Sequence, residues 1–265
     1  MKKSFLGASE PFLLALVQAR TKEKVIESIR ASIADGATAI GVQIEQLEFE
    51  YRTAEIFTEI FACAGELPIY ITNYRDQLNL GRTPESRVEE LKTALRCGGK
   101  LVDIMGDLYA PSENQLTNDS VAIERQKRLI DDIHGAGGEV LISSHIKKFL
   151  PCDEVLKMAL EQERRGADIV KIVTAAYTEQ EEIENLETCR ILNKELKVPF
   201  VFLSTGTHYK IHRTVAPLLG AFAWLCVHKH DELSTPAQPL LSDLHGIKRY
   251  FDINKENKNE SNCNQ

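Results

Sequence analysis

Short apolar runs alternate with longer amphipathic stretches along almost the whole chain. Regular alternation of the two predicts parallel strands with helices packed outside them. The apolar runs predicted as strands cover residues 12–17, 39–47, 68–74, 101–105, 139–145, 168–174, 199–204 and 221–227. Eight such strand and helix units within 265 residues predict an α/β fold, the closed (β/α)8 TIM barrel.

The stretches between the strands carry helix boundary signals. The predicted helices cover residues 21–34, 52–64, 85–96, 119–136, 153–165, 179–196, part of 208–218, and 239–251. Glycines at 36, 98, 137 and 166 follow helices, where glycine readily supplies the left-handed cap. An open doubly wound sheet is the alternative, but the GxGxxG that it would use for a dinucleotide after strand one is missing.

Length and composition favour a single globular domain. Hydrophobic residues make up 43% and charged residues 27%, which is enough apolar material for one large core. We expect the barrel to occupy residues 1–253. Residues 254–265 are polar and lack periodicity, and we expect them to form a disordered tail.

Charge and cysteine content argue against several classes of partner. A net charge of −7 without a basic cluster argues against nucleic acid. No apolar run is long enough to span a membrane, and the first residues do not form a signal peptide. The 6 cysteines are scattered without a CxxC pair, which predicts reduced thiols in a cytoplasmic protein rather than disulfides or a zinc site.

Lys171 is a single charged residue within the apolar run of strand six. Lysine is almost never fully buried unless it is paired or functional. Desolvation lowers the pKa of a buried amine and leaves a neutral nucleophile that can attack a carbonyl carbon. The non-catalytic alternative is a lysine neutralised by a carboxylate inside the barrel.

His145 ends the neighbouring strand five, at the end of the barrel where chemistry gathers. A histidine and a buried lysine on adjacent strands can meet over one small substrate, the histidine as general acid and base and the lysine as nucleophile. Taken alone, His145 is equally compatible with a hydrogen-bonded histidine at a strand end.

His228 and His230 follow strand eight, and alternation puts both imidazoles on one side of an extended segment. Two histidines make at most half of a metal site, and no second cluster with ligand spacing is evident. We therefore predict a polar loop entry here and no metal.

Several separated segments carry a resemblance to a known family. They are Ser143-Ser144-His145, R-G-A-D-I-V-K-I at 165–172, I-H-R at 211–213, G-A-F-A at 220–223 and S-T-P-A-Q at 234–238. In this order and spacing, over roughly the last half of the chain, they resemble the type I 3-dehydroquinate dehydratase family.

The resemblance implies a barrel hydro-lyase that converts 3-dehydroquinate to 3-dehydroshikimate, in aromatic amino acid biosynthesis or in quinate breakdown. Lys171 would form an imine with the substrate ketone, and His145 would move the protons. Arg213 would hold the carboxylate of this cyclic keto-carboxylate, Ser234 and Gln238 would belong to a lid, and Arg75 would be a further binding residue. The resemblance implies no metal or organic cofactor, and it suggests a homodimer.

The first half departs from the family pattern. Gln43 and Glu45 align with a strand-two E-x-R, so one carboxylate is lost and one charge is reversed at positions that we still assign to substrate binding. Asn79 stands where the family has a glutamate near the histidine. In the second half of the chain, His212 replaces a serine and Ala237 replaces a glycine. We expect the ring-hydroxyl contacts to differ more than the imine chemistry, and His145 to be less basic.

Two other functions remain open. One is a catalytically impaired or substrate-shifted paralogue that serves as a binding or regulatory barrel, which the changes at Gln43, Glu45 and Asn79 favour. The other is a Schiff-base aldolase for a sugar phosphate. It is weaker, because no phosphate-binding glycine loop follows strand seven or eight.

Overall fold

The computed structural model describes residues 2–262, with side-chain surroundings described through residue 251. The strands are β1 Phe12–Val17, β2 Ala39–Gln43, β3 Ile69–Thr72, β4 Leu101–Met105, β5 Glu139–His145, β6 Ile169–Ala176, β7 Phe200–Gly206 and β8 Ala223–Cys226. The helices are α1 Lys22–Ala34, α2 Ala54–Ala62, α3 Pro84–Arg96, α4 Ser120–Gly135, α5 Cys152–Arg164, α6 Glu179–Glu195, α7 Lys210–Val215 and α8 Leu241–Asn262.

The strands form one parallel sheet in the order β7-β6-β5-β4-β3-β2-β1-β8. The ring is nearly closed, because the backbone N–H of Phe222, just before β8, donates to the carbonyl oxygen of Phe200 on β7 at 2.7 Å. The predicted (β/α)8 barrel is therefore confirmed. The predicted disordered tail, residues 254–265, overlaps the end of α8, which extends to Asn262, and residues 263–265 lie outside the described part of the chain, so the domain boundary at residue 253 stays a prediction.

Two apolar clusters account for the alternation in the sequence. The larger lies between the strands and the surrounding helices, and the smaller fills the barrel interior with side chains such as Leu101, Leu141 and Ile169. Strands buried on both faces read as continuous apolar runs. A polar residue inside such a strand therefore stands out.

The second strand is shorter than predicted. Residues 39–47 were expected to be extended, but β2 ends at Gln43 and a 3-10 turn covers Ile44–Gln46. Ile44 and Leu47 are both fully buried, so the turn produces the same apolar pattern as a strand. Glu45 consequently lies on a helical turn above the sheet. The other predicted strands differ from the observed ones mainly by small shifts at their ends.

The described cysteines are all free thiols, and the reduced state expected from their spacing stays a prediction. They are Cys63, Cys97, Cys152, Cys189 and Cys226. None of the helices in the described part of the chain combines the length and apolar character needed to cross a membrane.

The segment before β1 covers the barrel at the amino-terminal ends of the strands. Phe5 is 1% exposed and its ring lies 5.2 Å from that of Phe12 and 5.8 Å from that of Phe222. The carboxylate of Glu139, at the start of β5, accepts hydrogen bonds from the Phe5 N–H at 3.0 Å and the Ser4 hydroxyl at 2.5 Å. The barrel interior is therefore sealed at this end.

We predict that Phe5→Ala lowers the free energy of unfolding by roughly 3–5 kcal/mol, because it empties a fully buried aromatic site. Urea unfolding followed by circular dichroism measures the change. Leu6→Ala is the matched control, since Leu6 is the next residue and is 38% exposed. Equal losses for the two variants would contradict a specific role for Phe5.

Candidate active site

Lys171 projects from β6 into the barrel interior, where its ammonium group has a complete set of partners. Its Nζ donates to the hydroxyl of Tyr74 at 2.6 Å and of Tyr70 at 2.9 Å, and lies 3.3 Å from Oδ2 of Asp103. An ammonium group has three donor hydrogens, so this set satisfies all of them. Burial lowers the pKa of Lys171, and the charge of Asp103 opposes that shift.

Asp103 connects the members of this group. Its Oδ2 accepts from the hydroxyls of both Tyr70 and Tyr74, and its Oδ1 accepts from the Ser143 hydroxyl. Burial and the adjacent carboxylate raise the pKa of both tyrosines well above its usual range, which keeps both phenols protonated. We call Tyr70, Tyr74, Asp103, Ser143 and Lys171 the lysine network.

The lysine network shows that the catalytic and the non-catalytic expectations for Lys171 are compatible with each other. Lys171 is a buried amine at the level of Ser143 in the sheet, and it is also neutralised by a carboxylate inside the barrel. Asp103 was not identified from the sequence, although it is the one charged residue in the apolar run of β4, the same signal that identified Lys171.

His145 is held by the loop between β4 and α4. Oε1 of Gln115 accepts the His145 backbone N–H at 3.0 Å and lies 3.3 Å from Nδ1. An acceptor at Nδ1 favours the tautomer that carries its hydrogen there, which leaves Nε2 as the basic nitrogen. The imidazole packs edge-on against the Tyr74 ring, with centroids 4.8 Å apart.

Cationic groups surround His145. Burial lowers its pKa well below the usual range, and the charges of Lys171, Arg213 and Arg75 lower it further. Arg213 is buried on α7 and donates from Nε to the Ser204 carbonyl oxygen at 2.7 Å, and burial lowers its pKa to about 10. A site with a neutral imidazole among positive charges is suited to an anionic ligand.

Arg75 is anchored by a carboxylate. Its Nη2 lies 2.6 Å from Oδ2 of Asp107, whose side chain is completely buried. The guanidinium therefore has a fixed position after β3 while its side chain remains 26% exposed.

Glu45 and Gln43 lie near the end of β2. The carboxyl group of Glu45 accepts from the Thr72 hydroxyl at 2.9 Å, and burial raises its pKa to about 8. Glu45 is near enough to Lys171 that, when ionised, its charge opposes the lowering of that lysine's pKa. Oε1 of Gln43 accepts from the Gln18 side chain at 2.8 Å, at the end of β1.

Ser234 and Gln238 belong to the loop after β8. Both side chains form hydrogen bonds with backbone groups of the same loop. The Ser234 hydroxyl pairs with the backbone of Asp231, and Oε1 of Gln238 accepts the Thr235 N–H at 2.7 Å. Neither side chain contacts Lys171, His145 or Arg213 in this conformation. The predicted lid role of both residues stays a prediction.

The histidines after β8 bind protein groups. Nδ1 of His228 lies 2.5 Å from Asp35, and Nε2 of His230 lies 2.8 Å from the carbonyl oxygen of Gln238. No group of three or more His, Cys, Asp or Glu side chains in the described part of the chain is arranged to hold a metal ion.

Comparisons with known proteins agree with the fold and identify the family. A family model described as type I 3-dehydroquinase matches residues 14–255. This chain belongs to the type I 3-dehydroquinase family. Membership confirms the resemblance found in the sequence and places the chain among the hydro-lyases.

Individual relatives are distant. A 3-dehydroquinate dehydratase of Alkaliphilus oremlandii is 30% identical over 125 residues, which cover 46% of this chain and 48% of that protein. The 3-dehydroquinate dehydratase of Aromatoleum aromaticum is 20% identical over 91% of this chain and 90% of its own. The solved structure of that enzyme from Geobacillus kaustophilus has a TM-score of 0.79 at 17% identity, covering 93% of both chains, and shows the shared fold.

Asn79, aligned with a glutamate of the type I 3-dehydroquinase pattern, does not contact His145. Its side-chain nitrogen donates to the carbonyl oxygen of Tyr74 at 2.7 Å, and its oxygen accepts from Arg52 at 2.7 Å and Arg82 at 3.2 Å. Asn79 therefore supports the backbone of Tyr74. The histidine acceptor in this family member is Gln115, whose position in the loop after β4 was not identified from the sequence.

We predict that Gln115→Glu raises the pKa of His145 by roughly 1–3 units, because a carboxylate at this distance stabilises the imidazolium. NMR titration of the imidazole hydrogens measures the pKa in the wild-type protein and the variant. Gln115→Ala serves as the control, since it removes the acceptor without adding charge. An unchanged pKa in Gln115→Glu would show that Gln115 does not govern His145.

Proposed function

We propose that this chain dehydrates 3-dehydroquinate to 3-dehydroshikimate through an imine on Lys171, with His145 as the general acid and base. The observation that carries the proposal is the buried Lys171 amine on β6 with His145 at the end of β5, both within reach of the Arg213 charge. Family membership supports the overall reaction. The residue roles are our inference from the geometry.

The proposed reaction begins with carboxylate binding. Among the described residues the Nη groups of Arg213 have no hydrogen-bond partner, so they can form the paired bonds that a carboxylate accepts from arginine. Arg75, held by Asp107, adds a second positive charge near His145. A substrate anchored in this way presents its ring ketone to Lys171.

Elimination then follows from the imine. The positively charged imine withdraws electrons from the carbon next to the imine carbon, which makes the hydrogen on that adjacent carbon acidic. Nε2 of His145 takes that proton to give an enamine, and returns a proton to the hydroxyl group that leaves as water. Because burial and then the neighbouring cations lower the pKa of His145, the imidazole is neutral and ready to act as a base near neutral pH.

Glu45 favours the second candidate function, an impaired or substrate-shifted paralogue that acts as a binding or regulatory barrel. With a pKa of about 8, its carboxyl group is mostly protonated near neutral pH and can donate a hydrogen bond, but it cannot act as an arginine does toward an anion. A ligand that fits this position presents a hydroxyl or other acceptor there.

The cytoplasmic location inferred from the cysteines and the homodimer suggested by the family resemblance stay predictions. The same holds for the choice between a biosynthetic and a catabolic role.

We predict that borohydride reduction in the presence of 3-dehydroquinate attaches the substrate covalently to Lys171. Mass spectrometry of the intact protein and its peptides identifies the adduct. Lys100→Met is a matched control, because Lys100 is a surface lysine just before β4 and its loss should leave labelling intact. Labelling that persists in Lys171→Met would exclude Lys171 as the imine-forming residue.

We predict that His145→Ala still forms the imine but loses turnover by roughly 100-fold or more, the usual contribution of general acid–base catalysis. Ultraviolet absorbance of the conjugated enone follows product formation, and borohydride trapping follows the imine. Wild-type labelling without enone formation would favour the impaired paralogue. Unchanged turnover in His145→Ala would rule this residue out as the base.

A further inference from the structure

Tyr74, a member of the lysine network, contacts both proposed catalytic residues, Lys171 and His145. Its hydroxyl lies 2.6 Å from Nζ of Lys171 and 2.6 Å from Oδ2 of Asp103, while its ring packs edge-on against His145. The proposed mechanism leaves one task unassigned, which is the movement of protons while the imine forms. Of the described side chains, only Tyr70, Tyr74 and Asp103 form hydrogen bonds with Nζ.

We propose that the Tyr74 phenol carries protons between Lys171, Asp103 and the substrate oxygen during imine formation. This inference rests on the proposed imine chemistry and assigns it a further catalytic residue. No described hydrogen bond joins the imidazole of His145 to Nζ; Gln115 lies at its Nδ1, and the Tyr74 ring packs against it. Tyr74 is therefore better placed than His145 for this first stage.

The proton balance fits the lysine network. A ketone and an ammonium group combine to give a protonated imine and one water molecule, with no net gain or loss of protons. The ammonium first passes a proton through the Tyr74 hydroxyl to Asp103, and the free amine then attacks the carbonyl carbon as the carbonyl π pair moves to oxygen. The new carbon–nitrogen bond leaves two hydrogens on nitrogen.

The second half of the step releases water. One nitrogen hydrogen passes through Tyr74 to the substrate oxygen, and the proton held by Asp103 follows by the same route. The carbon–oxygen bond then breaks, the nitrogen lone pair forms the carbon–nitrogen double bond, and water leaves with two of the three original ammonium hydrogens. Tyr74 accepts one hydrogen as it gives another, so it never has to exist as a phenolate.

Tyr70 makes similar bonds but lies deeper in the barrel. It belongs to β3, level with Leu101, whereas Tyr74 follows the end of that strand at the same mouth of the barrel as His145. The side-chain nitrogen of Asn79 donates to the Tyr74 carbonyl oxygen and so holds the Tyr74 backbone in place. Asn79 itself has no role in the proposed proton transfer. A substrate entering at the mouth meets Tyr74 first.

The test compares Tyr74→Phe with Tyr70→Phe, which removes the same kind of hydroxyl from the same amine. The measurement is the rate of borohydride-trapped adduct formation on Lys171 with 3-dehydroquinate, followed by intact mass. We expect Tyr74→Phe to slow trapping by roughly 100-fold, as general acid–base groups do, and Tyr70→Phe to slow it at least about tenfold less. Tyr177→Phe, at an exposed tyrosine, should match the wild-type protein.

Equal slowing in Tyr74→Phe and Tyr70→Phe, or a wild-type rate in Tyr74→Phe, overturns the role of Tyr74 while leaving the imine intact. Absence of any wild-type adduct instead overturns the proposed function and this inference with it. Trapping of the wild-type protein in heavy water needs no variant, so it tests the proposal even when a variant does not fold. We expect adduct formation to be slower in heavy water than in ordinary water, because proton transfer is part of the step, and an equal rate in the two solvents overturns the proposal.

Discussion

A lysine and an aspartate face each other inside the barrel, and the organisation of the site depends on that pair. Either charge alone would be costly to bury, because the interior cannot replace the water that each one loses. The two tyrosine hydroxyls and Ser143 supply the remaining hydrogen bonds, so the charges of Lys171 and Asp103 are both paired and solvated by protein. Removing one member leaves the other without compensation.

The charges around this pair explain how one small site can hold two differently tuned bases. Burial lowers the pKa of both groups, but Asp103 opposes this shift at Lys171, whereas at His145 the charges of Lys171, Arg213 and Arg75 add to it. The amine and the imidazole are therefore controlled by different neighbours. Gln115, an uncharged acceptor, holds the histidine without offsetting those cations.

The sequence predicted the barrel well because strands buried on both faces are continuous apolar runs, and charged residues inside them are rare. That same contrast identified Lys171. It was also present at Asp103, but a single aspartate in a short strand suggests no chemistry until its neighbours are known. Gln115 and the role of Asn79 could not be predicted, because their contacts depend on how two loops fold over the strand ends. The 3-10 turn that carries Glu45 was hidden by its strand-like burial pattern.

The backbone at Gln115 has a φ of 50°, a conformation that is common for glycine, less so for asparagine and aspartate, and rare for most other residues. A glycine would relax the backbone but lose the histidine's acceptor, and an asparagine would tolerate the angle with a side chain one methylene shorter. The loop thus contains an unfavourable backbone angle at Gln115, and the longer glutamine side chain reaches His145. A change in the backbone between β4 and α4 would therefore move the acceptor at Nδ1 of His145 while leaving Lys171 in place on its strand.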